Sequence, residues 1–217
     1  MVSQNSKTKV GSDKGVQDRL LDAAEELFCE RGFNETSIRD LAAAAGCNIA
    51  SVNYYFGSKE NLYIEMFRRH MTKLFDEQIK NIQNVMNSDH PTLDQLLRTL
   101  VASALRTLNS DSGERPLLKM MVREILHPHL KTAIVIDEMI GKFLTELRDA
   151  IIKLCPPVKS EAGMLCVYSL DGIILHALLF SDYYYEHYPN LKVDELIDHI
   201  VRFSTAGIRA YTEGEAK

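Results

Sequence analysis

The chain has 217 residues, of which 46% are hydrophobic, and this supplies a sizeable core for one or two domains. Eleven Gly and six Pro are too few for a fibrous or disordered chain, and the four scattered cysteines, without C-x-x-C spacing, argue against zinc and disulfide frameworks. The net charge of −5 indicates no general affinity for polyanions.

The N-terminal third predicts an arm followed by three short helices. Residues 1–13 are polar and lack the apolar stretch of a secretory signal, so we expect a mobile arm on a cytoplasmic protein. A helix over 14–31 ends at Gly32, where glycine commonly terminates helices. Ser37 and Asp40 have capping-box spacing at the start of a second helix. That helix ends at Gly46, and a third covers 48–55.

Two short helices joined by a glycine turn predict a helix-turn-helix, whose second helix fits the DNA major groove. Helical spacing places Val52 and Phe56 on the inner face of this helix, whereas Ala50, Asn53 and Tyr54 point outward. Asn53 can pair with an adenine edge, and the small Ala50 allows a close approach to a thymine methyl group.

Other side chains around this helix are suited to the DNA backbone. Short polar groups on the helix offer hydrogen bonds to phosphates, and two cations flank it, of which Arg39 could also reach a guanine edge. These residues are Asn48, Ser51, Tyr54 and Tyr55 on the helix, with Arg39 and Lys59 beside it. Residues 1–60 nevertheless carry seven Lys or Arg against nine Asp or Glu, so we expect no strong electrostatic attraction.

The rest of the chain repeats apolar residues at the helical period and shows no sustained strand alternation. Polar, Gly- or Pro-containing breaks then predict helices over 58–86, 92–108, 116–126, 130–154, 160–186 and 193–211. The predicted fold is all-α with about nine helices. It comprises the arm (1–13), a three-helix DNA-binding domain (14–60) and a larger ligand-binding and dimerisation domain (61–217).

The longest apolar run, 164–180, is interrupted by Ser169, Asp171, Gly172 and His176. It is shorter than a membrane span and carries a central acid, so we interpret it as a helix buried in protein rather than in lipid. Because it is apolar nearly all round, one side should face its own domain and the other a partner subunit. The helix over 193–211 offers a matching apolar stripe.

Residues 14–62 resemble the TetR family of transcriptional regulators. The resemblance rests on Leu27-Phe28, Gly32-Phe33, Thr36-Ser37-Ile38-Arg39-Asp40-Leu41-Ala42, Ala45-Gly46, Val52-Asn53-Tyr54-Tyr55-Phe56 and Lys59-Glu60-Asn61-Leu62. Three positions depart from the family pattern, with Val52-Asn53 where Leu-Tyr is usual and Cys47 where Val is usual. The resemblance implies DNA contacts by Ser37, Arg39, Asn48, Ile49, Ala50, Asn53, Tyr54, Tyr55 and Lys59.

The resemblance also implies a homodimer that closes through a four-helix bundle of the last two long helices. On those helices we expect the interface to include Leu165, Tyr168, Ile173, His176, Leu179, Phe180, Ile200 and Phe203. Two recognition helices related by a two-fold axis would read a palindromic operator in duplex DNA.

Residues around Val122-Arg123-Glu124-Ile125 and His127-Pro128 resemble the ligand domain of CecR-type members of that family. An unidentified small-molecule effector is the implied partner, and methionines suit an adaptable pocket. The candidate pocket residues are Met120, Met121, Arg123, Glu124, Met139, Phe143, Asp171 and His176. The predicted function is a repressor released from its operator by that effector.

Two alternatives stay open at this stage. Glu124 and His127 form a single E-x-x-H, the spacing of di-iron helical bundles, but such sites need a second copy and two further Glu. We therefore expect no enzyme, no catalytic residues, no cofactor and no metal site, with a metal-dependent enzyme as the rival interpretation. A DNA-binding adaptor without a ligand is the other.

Overall fold

A computed structural model describes residues 15–108, 120, 122–124 and 140–213. Within these ranges the regular structure is helical and no strand occurs, as the sequence predicted. The helices are α1 (Val16–Arg31), α2 (Ile38–Ala44), α3 (Ile49–Phe56), α4 (Lys59–Met86), α5 (Leu93–Leu108), α6 (Gly141–Leu154), α7 (Ser160–Leu179), α8 (Ser181–His187) and α9 (Val193–Glu213).

The chain divides into two compact units, the first ending at Met66 and the second beginning at Phe67. The sequence placed this boundary between residues 60 and 61, and both positions lie within α4. In unit one, α1, α2 and α3 pack around apolar side chains that are fully removed from solvent. Leu20, Ala24, Phe28, Leu41 and Val52 are each 0% exposed. Helical spacing alone identifies these residues as the inner faces.

Unit two has one hydrophobic core, to which α4, α5, α6, α7 and α9 all contribute. Within it α5 packs along α9, and α6 packs along α7. Cys155 and Cys166 lie in this core as free thiols, and burial raises the pKa of both. They act as small apolar side chains there.

The helix predicted over 160–186 is wrong in one respect, because it is interrupted at Phe180 between α7 and α8. The Ser181 hydroxyl donates to the carbonyl of Leu178 at 3.2 Å, and such side-chain bonds compete with the regular helical ladder. The predicted helix over 116–126 and the first ten residues of the one over 130–154 lie largely outside the described residues.

Among the described residues, α7 is long and apolar enough to cross a membrane by length and composition. One such helix is weak evidence for a span, because a core helix passes the same test. Only 28% of its most apolar window is buried within the chain.

Candidate nucleic-acid interface

Helix α2 begins with the capping box that the sequence predicted. The Ser37 hydroxyl accepts from the Asp40 backbone N–H at 3.2 Å, and the Ser37 backbone N–H donates to the Asp40 carboxylate at 2.9 Å. The Ser37 hydroxyl also donates to that carboxylate at 2.6 Å. This hydroxyl bond, followed by the backbone bond, lowers the pKa of Asp40. The start of α2 is thus firmly defined next to the turn.

The turn between α2 and α3 depends on Gly46 and Asn48. Gly46 has a φ of +61°, in the left-handed region that favours glycine. The Asn48 side-chain oxygen accepts from the Ala50 backbone N–H at 2.9 Å and caps α3. Asn48 therefore positions the start of α3.

Helix α3 has the two faces predicted for a recognition helix. Val52 is 0% exposed and Phe56 7%, so both hold α3 against unit one. On the opposite side Asn53 is exposed and Tyr54 is 82% exposed, an unusual degree for an aromatic side chain. The Tyr54 and Tyr55 rings meet edge to face at 4.9 Å, which supports the outward Tyr54 from one side.

The remaining predicted DNA residues form a rim around this face. Ile49, Ala50 and Tyr55 are exposed, and Ser51 is half-buried. Arg39 is exposed and makes no hydrogen bond or ion pair with the described residues, so its guanidinium is available to an outside anion. Ser37 is exposed but its hydroxyl already serves the capping box.

Lys59 is bound within unit one, unlike the free phosphate contact expected of it. Its ammonium donates to the carbonyls of Phe33 and Thr36, both at 3.0 Å, and lies 4.1 Å from the centre of the Phe33 ring. These contacts join the start of α4 to the loop between α1 and α2. The geometry therefore favours a role in positioning the helix-turn-helix.

Sequence reasoning missed three further braces of the same kind. The Arg19 guanidinium donates to the Ala45 carbonyl at 3.0 Å, where α2 ends. The buried Thr36 hydroxyl lies 2.8 Å from the Gly32 carbonyl, and the Asn61 amide donates to the Phe56 carbonyl at 2.9 Å. Each brace satisfies a carbonyl at a helix end or loop. The partner of Arg19 lies 26 residues away, and no periodicity signals so distant a pair.

The candidate effector residues of unit two do not share one environment. Met120, Glu124 and Phe143 are buried, whereas Arg123, Asp171 and His176 are exposed. The His176 ring lies 4.6 Å from the Phe180 ring, with the Tyr184 hydroxyl 2.9 Å from its Nδ1. Although solvent reaches Asp171, the surrounding protein raises its pKa through desolvation. Met121 and Met139 lie outside the described residues.

The predicted interface residues mostly lie on exposed apolar surface of unit two. Leu165, Tyr168, Phe180 and Phe203 are each about half exposed or more, at 57%, 54%, 49% and 63%. Ile173 and Leu179 are half-buried. Ile200 is wrong as an interface residue, because it is 1% exposed and belongs to the core of its own chain.

Helices α2 and α3 are joined by a glycine turn, and α3 presents an exposed polar face and a buried apolar one. This is the arrangement of the helix-turn-helix class of nucleic-acid-binding proteins. Similarity to known proteins specifies the class further. The model of bacterial regulatory proteins of the tetR family matches residues 20–66. The model of the C-terminal domain of the HTH-type transcriptional dual regulator CecR matches residues 93–208. The chain belongs to the TetR family of transcriptional regulators, with a CecR-type C-terminal domain.

Individual relatives agree with this assignment. The dual regulator CecR of Shigella flexneri is 31% identical over 147 residues, 62% of this chain and 63% of that protein. The repressor KstR2 of Rhodococcus jostii is 36% identical over 85 residues, 39% of this chain and 41% of its own. The chain thus spans less than two thirds of either relative. Both relatives are transcriptional regulators and not enzymes, so their similarity to this chain does not support the metal-enzyme alternative.

A solved structure shows the same fold. The transcriptional regulator FadR from Bacillus subtilis, in complex with stearoyl-CoA, superimposes with a TM-score of 0.66 over 88% of this chain and 98% of that one. At 17% sequence identity this similarity establishes the fold alone.

Proposed function

We propose that this protein is a cytoplasmic, DNA-binding transcriptional repressor that acts as a homodimer on a palindromic operator. A small molecule that binds unit two releases it. The single observation that carries the proposal is the exposed, uncharged polar face of α3, held out from unit one by Val52 and Phe56.

Base recognition is assigned to the exposed side chains on α3. Asn53 offers a bidentate pair to adenine, Ala50 allows the backbone to approach, and Tyr54 adds a hydroxyl and a large contact area. Arg39, Ser51, Tyr55 and the backbone at the start of α3 then fix the position on the phosphates. Loss of one bidentate contact between a side chain and a base costs about 1–3 kcal/mol of discrimination per half-site.

The test is an electrophoretic mobility shift with DNA from upstream of the protein's own coding sequence. Asn53→Ala and Tyr54→Ala should abolish the specific shift. Asn84→Ala and Tyr188→Ala are the matched controls, because they remove an exposed Asn and an exposed Tyr elsewhere in the chain. Wild-type binding by both α3 variants would exclude α3 as the recognition helix.

The dimer proposal rests on an apolar face that the subunit leaves uncovered. Leu165, Tyr168 and Gly172 share one exposed side of α7, and Phe203 and Gly207 share one side of α9. A Cβ built at either glycine meets nothing within 4 Å, so there is room for another helix to approach closely. A second copy of these two helices would bury this surface, with recognition helices about 34–36 Å apart or a multiple of that.

Sedimentation equilibrium tests the dimer directly. Leu165→Glu and Phe203→Glu should each yield monomers that keep their helical circular dichroism, since both side chains are exposed in the isolated subunit. The control is Tyr188→Glu, an equally exposed apolar position outside α7 and α9. Dimers of undiminished stability in both variants would contradict this interface.

Release by an effector requires that the ligand prefer the DNA-incompetent state. A coupling of about 1–3 kcal/mol is sufficient for graded control of operator occupancy. Because FadR of Bacillus subtilis was solved with stearoyl-CoA, that molecule is the first probe. We expect an acyl-CoA, whose acyl chain is apolar, or a wholly apolar probe to weaken the operator shift. An operator affinity unchanged by every bound probe would favour the ligand-free adaptor.

A further inference from the structure

A groove of about 480 Å³ lies in unit two between α5 and α9, away from the interface residues named above. Its lining combines three arginines, two aspartates and a threonine with two small apolar residues. They are Asp94, Arg98, Asp198, Val201, Arg202, Thr205, Ala206 and Arg209. A volume of this size accommodates a small organic molecule.

Helix geometry separates this groove from the proposed dimer face. Arg202, Thr205 and Arg209 are spaced at i, i+3 and i+7, so they lie along one side of α9, next to α5. Phe203 and Gly207 are rotated by about 100° or more from that side. A ligand in the groove and a partner subunit on the apolar face therefore occupy different sides of α9.

The two aspartates are already engaged by one arginine. Arg98 lies 2.5 Å from the Asp198 carboxylate and 3.8 Å from that of Asp94. The hydrogen bond that Arg98 donates to Asp198 raises the pKa of Arg98 above its usual value. The free lone pairs of these carboxylates still accept hydrogen bonds from a ligand's hydroxyl groups. Arg202 makes no ion pair or hydrogen bond with the described residues, and its charge is available to the groove.

Thr205 supplies the second, independent indication of a ligand. Its side chain is 8% exposed, and its Oγ1 finds no hydrogen-bonding partner among the described residues. A buried hydroxyl without a partner destabilises the fold unless something else satisfies it. Thr205 lines the groove between Arg202 and Arg209. A rotation of its side chain toward the groove would let one acceptor bond to the hydroxyl and to guanidinium groups together.

We propose that this groove binds a small organic phosphate. A phosphate offers oxygens in several directions, and arginine forks match its geometry well. In this arrangement the phosphate contacts Arg202, Arg209 and the Thr205 hydroxyl, and hydroxyl groups on the remainder of the ligand donate to Asp94 and Asp198. The site does not depend on DNA binding, and it can be tested on the protein without operator.

Isothermal titration calorimetry with glucose 6-phosphate, glucose and inorganic phosphate tests the site. The comparison distinguishes an organic phosphate from free phosphate as the ligand. Binding of glucose 6-phosphate, with none of glucose, is the expected result. Arg202→Gln should weaken that binding about tenfold or more. Arg106→Gln is the matched control, because Arg106 pairs with Asp194 across the same two helices but does not line the groove.

Thr205→Val separates a ligand-binding role from a structural one. The variant should bind the phosphate several-fold more weakly, while its melting temperature without ligand stays equal or rises. Ser204→Ala is the control, since Ser204 is a neighbouring buried hydroxyl that also lacks a partner but lies outside the groove. It should leave ligand affinity unchanged.

Three outcomes of these titrations decide whether the groove binds an organic phosphate. Equal affinity for inorganic phosphate and glucose 6-phosphate, with both lost in Arg202→Gln, overturns the organic part of the proposal, because the sugar hydroxyl groups would then gain nothing from Asp94 and Asp198. No heat from either phosphate up to millimolar concentration overturns the proposal. Binding that is insensitive to both Arg202→Gln and Thr205→Val also overturns it, because the anion would then bind elsewhere.

Discussion

Lys59→Met tests whether this lysine positions the helix-turn-helix or contacts DNA. The substitution keeps the length of the side chain but removes the ammonium. The carbonyls of Phe33 and Thr36 each lose a donor at 3.0 Å, and the Phe33 ring loses a cation at 4.1 Å. The loop between α1 and α2 then loses the charged donor that joins it to the start of α4.

The expected cost follows from these three contacts. Hydrogen bonds from charged groups contribute about 1.5–3 kcal/mol each and an exposed cation–π contact about 0.5–1 kcal/mol. Lys59 is only half-buried, and water replaces part of what is lost. We therefore expect Lys59→Met to lower the free energy of unfolding by about 2 kcal/mol, measured by urea denaturation with circular dichroism.

The salt dependence of operator binding provides the second readout. Each phosphate contact contributes about 0.9 to the slope of log affinity against log salt concentration, so a lost contact counts about twice in a dimer. Lys59→Met should weaken binding without making this slope shallower. Arg39→Met is the matched control, because Arg39 is exposed and unengaged within unit one. It should leave stability within about 0.5 kcal/mol but weaken binding with a shallower slope.

The opposite pattern would refute the positioning role. If Lys59→Met unfolded like the wild type and reduced the salt slope by about 2, the ammonium would be at the phosphates.

Three further predictions concern the local structure. Asp40→Asn should destabilise the protein near neutral pH, and the difference from wild type should vanish in acid. The Asp40 pKa is lowered in the folded state, so its stabilisation is present above the unfolded pKa and is lost as pH falls through the folded one, which a pH series of melting temperatures would show. Gly46→Ala should cost about 1 kcal/mol from its φ of +61° alone, because a Cβ there meets no atom within 4 Å; urea unfolding at equal slope would measure this. Gly163→Ala should lower the melting temperature, because the Cβ would lie 3.1 Å from Ile152 Cγ1, and a more stable variant would show that α6 and α7 adjust freely.

The helices of unit one could be predicted because residues close together in the sequence determine where each helix begins and ends. Ser37 and Asp40 cap α2 within one turn, Gly46 permits a left-handed turn, and Val52 and Phe56 repeat at the spacing of one helical turn. Each signal involves residues at most four apart. Local spacing is sufficient wherever both partners belong to the same turn of backbone.

The braces made by Lys59 and Arg19 could not be predicted, because their partners are distant along the chain. Lys59 and Arg19 each bind a carbonyl 26 residues away, and only the folded arrangement brings these groups together. Sequence composition likewise assigned Ile200 to an interface because it is apolar, although the side of α9 on which it lies faces its own core. An apolar helical stripe shows that a face is covered but does not identify the cover.

The charge distribution in unit one points to the source of operator specificity. Helix α3 contains no charged residue, Lys59 and Arg19 are bound to carbonyls, and Arg39 is the exposed cation beside it. Among the described residues, few charges are thus available around α3 for attraction that is independent of sequence. We therefore propose that discrimination between operators comes from hydrogen bonds and close packing by Asn53, Tyr54 and Ala50. These contacts require accurate placement of α3, which explains why unit one devotes caps and charged braces to its position.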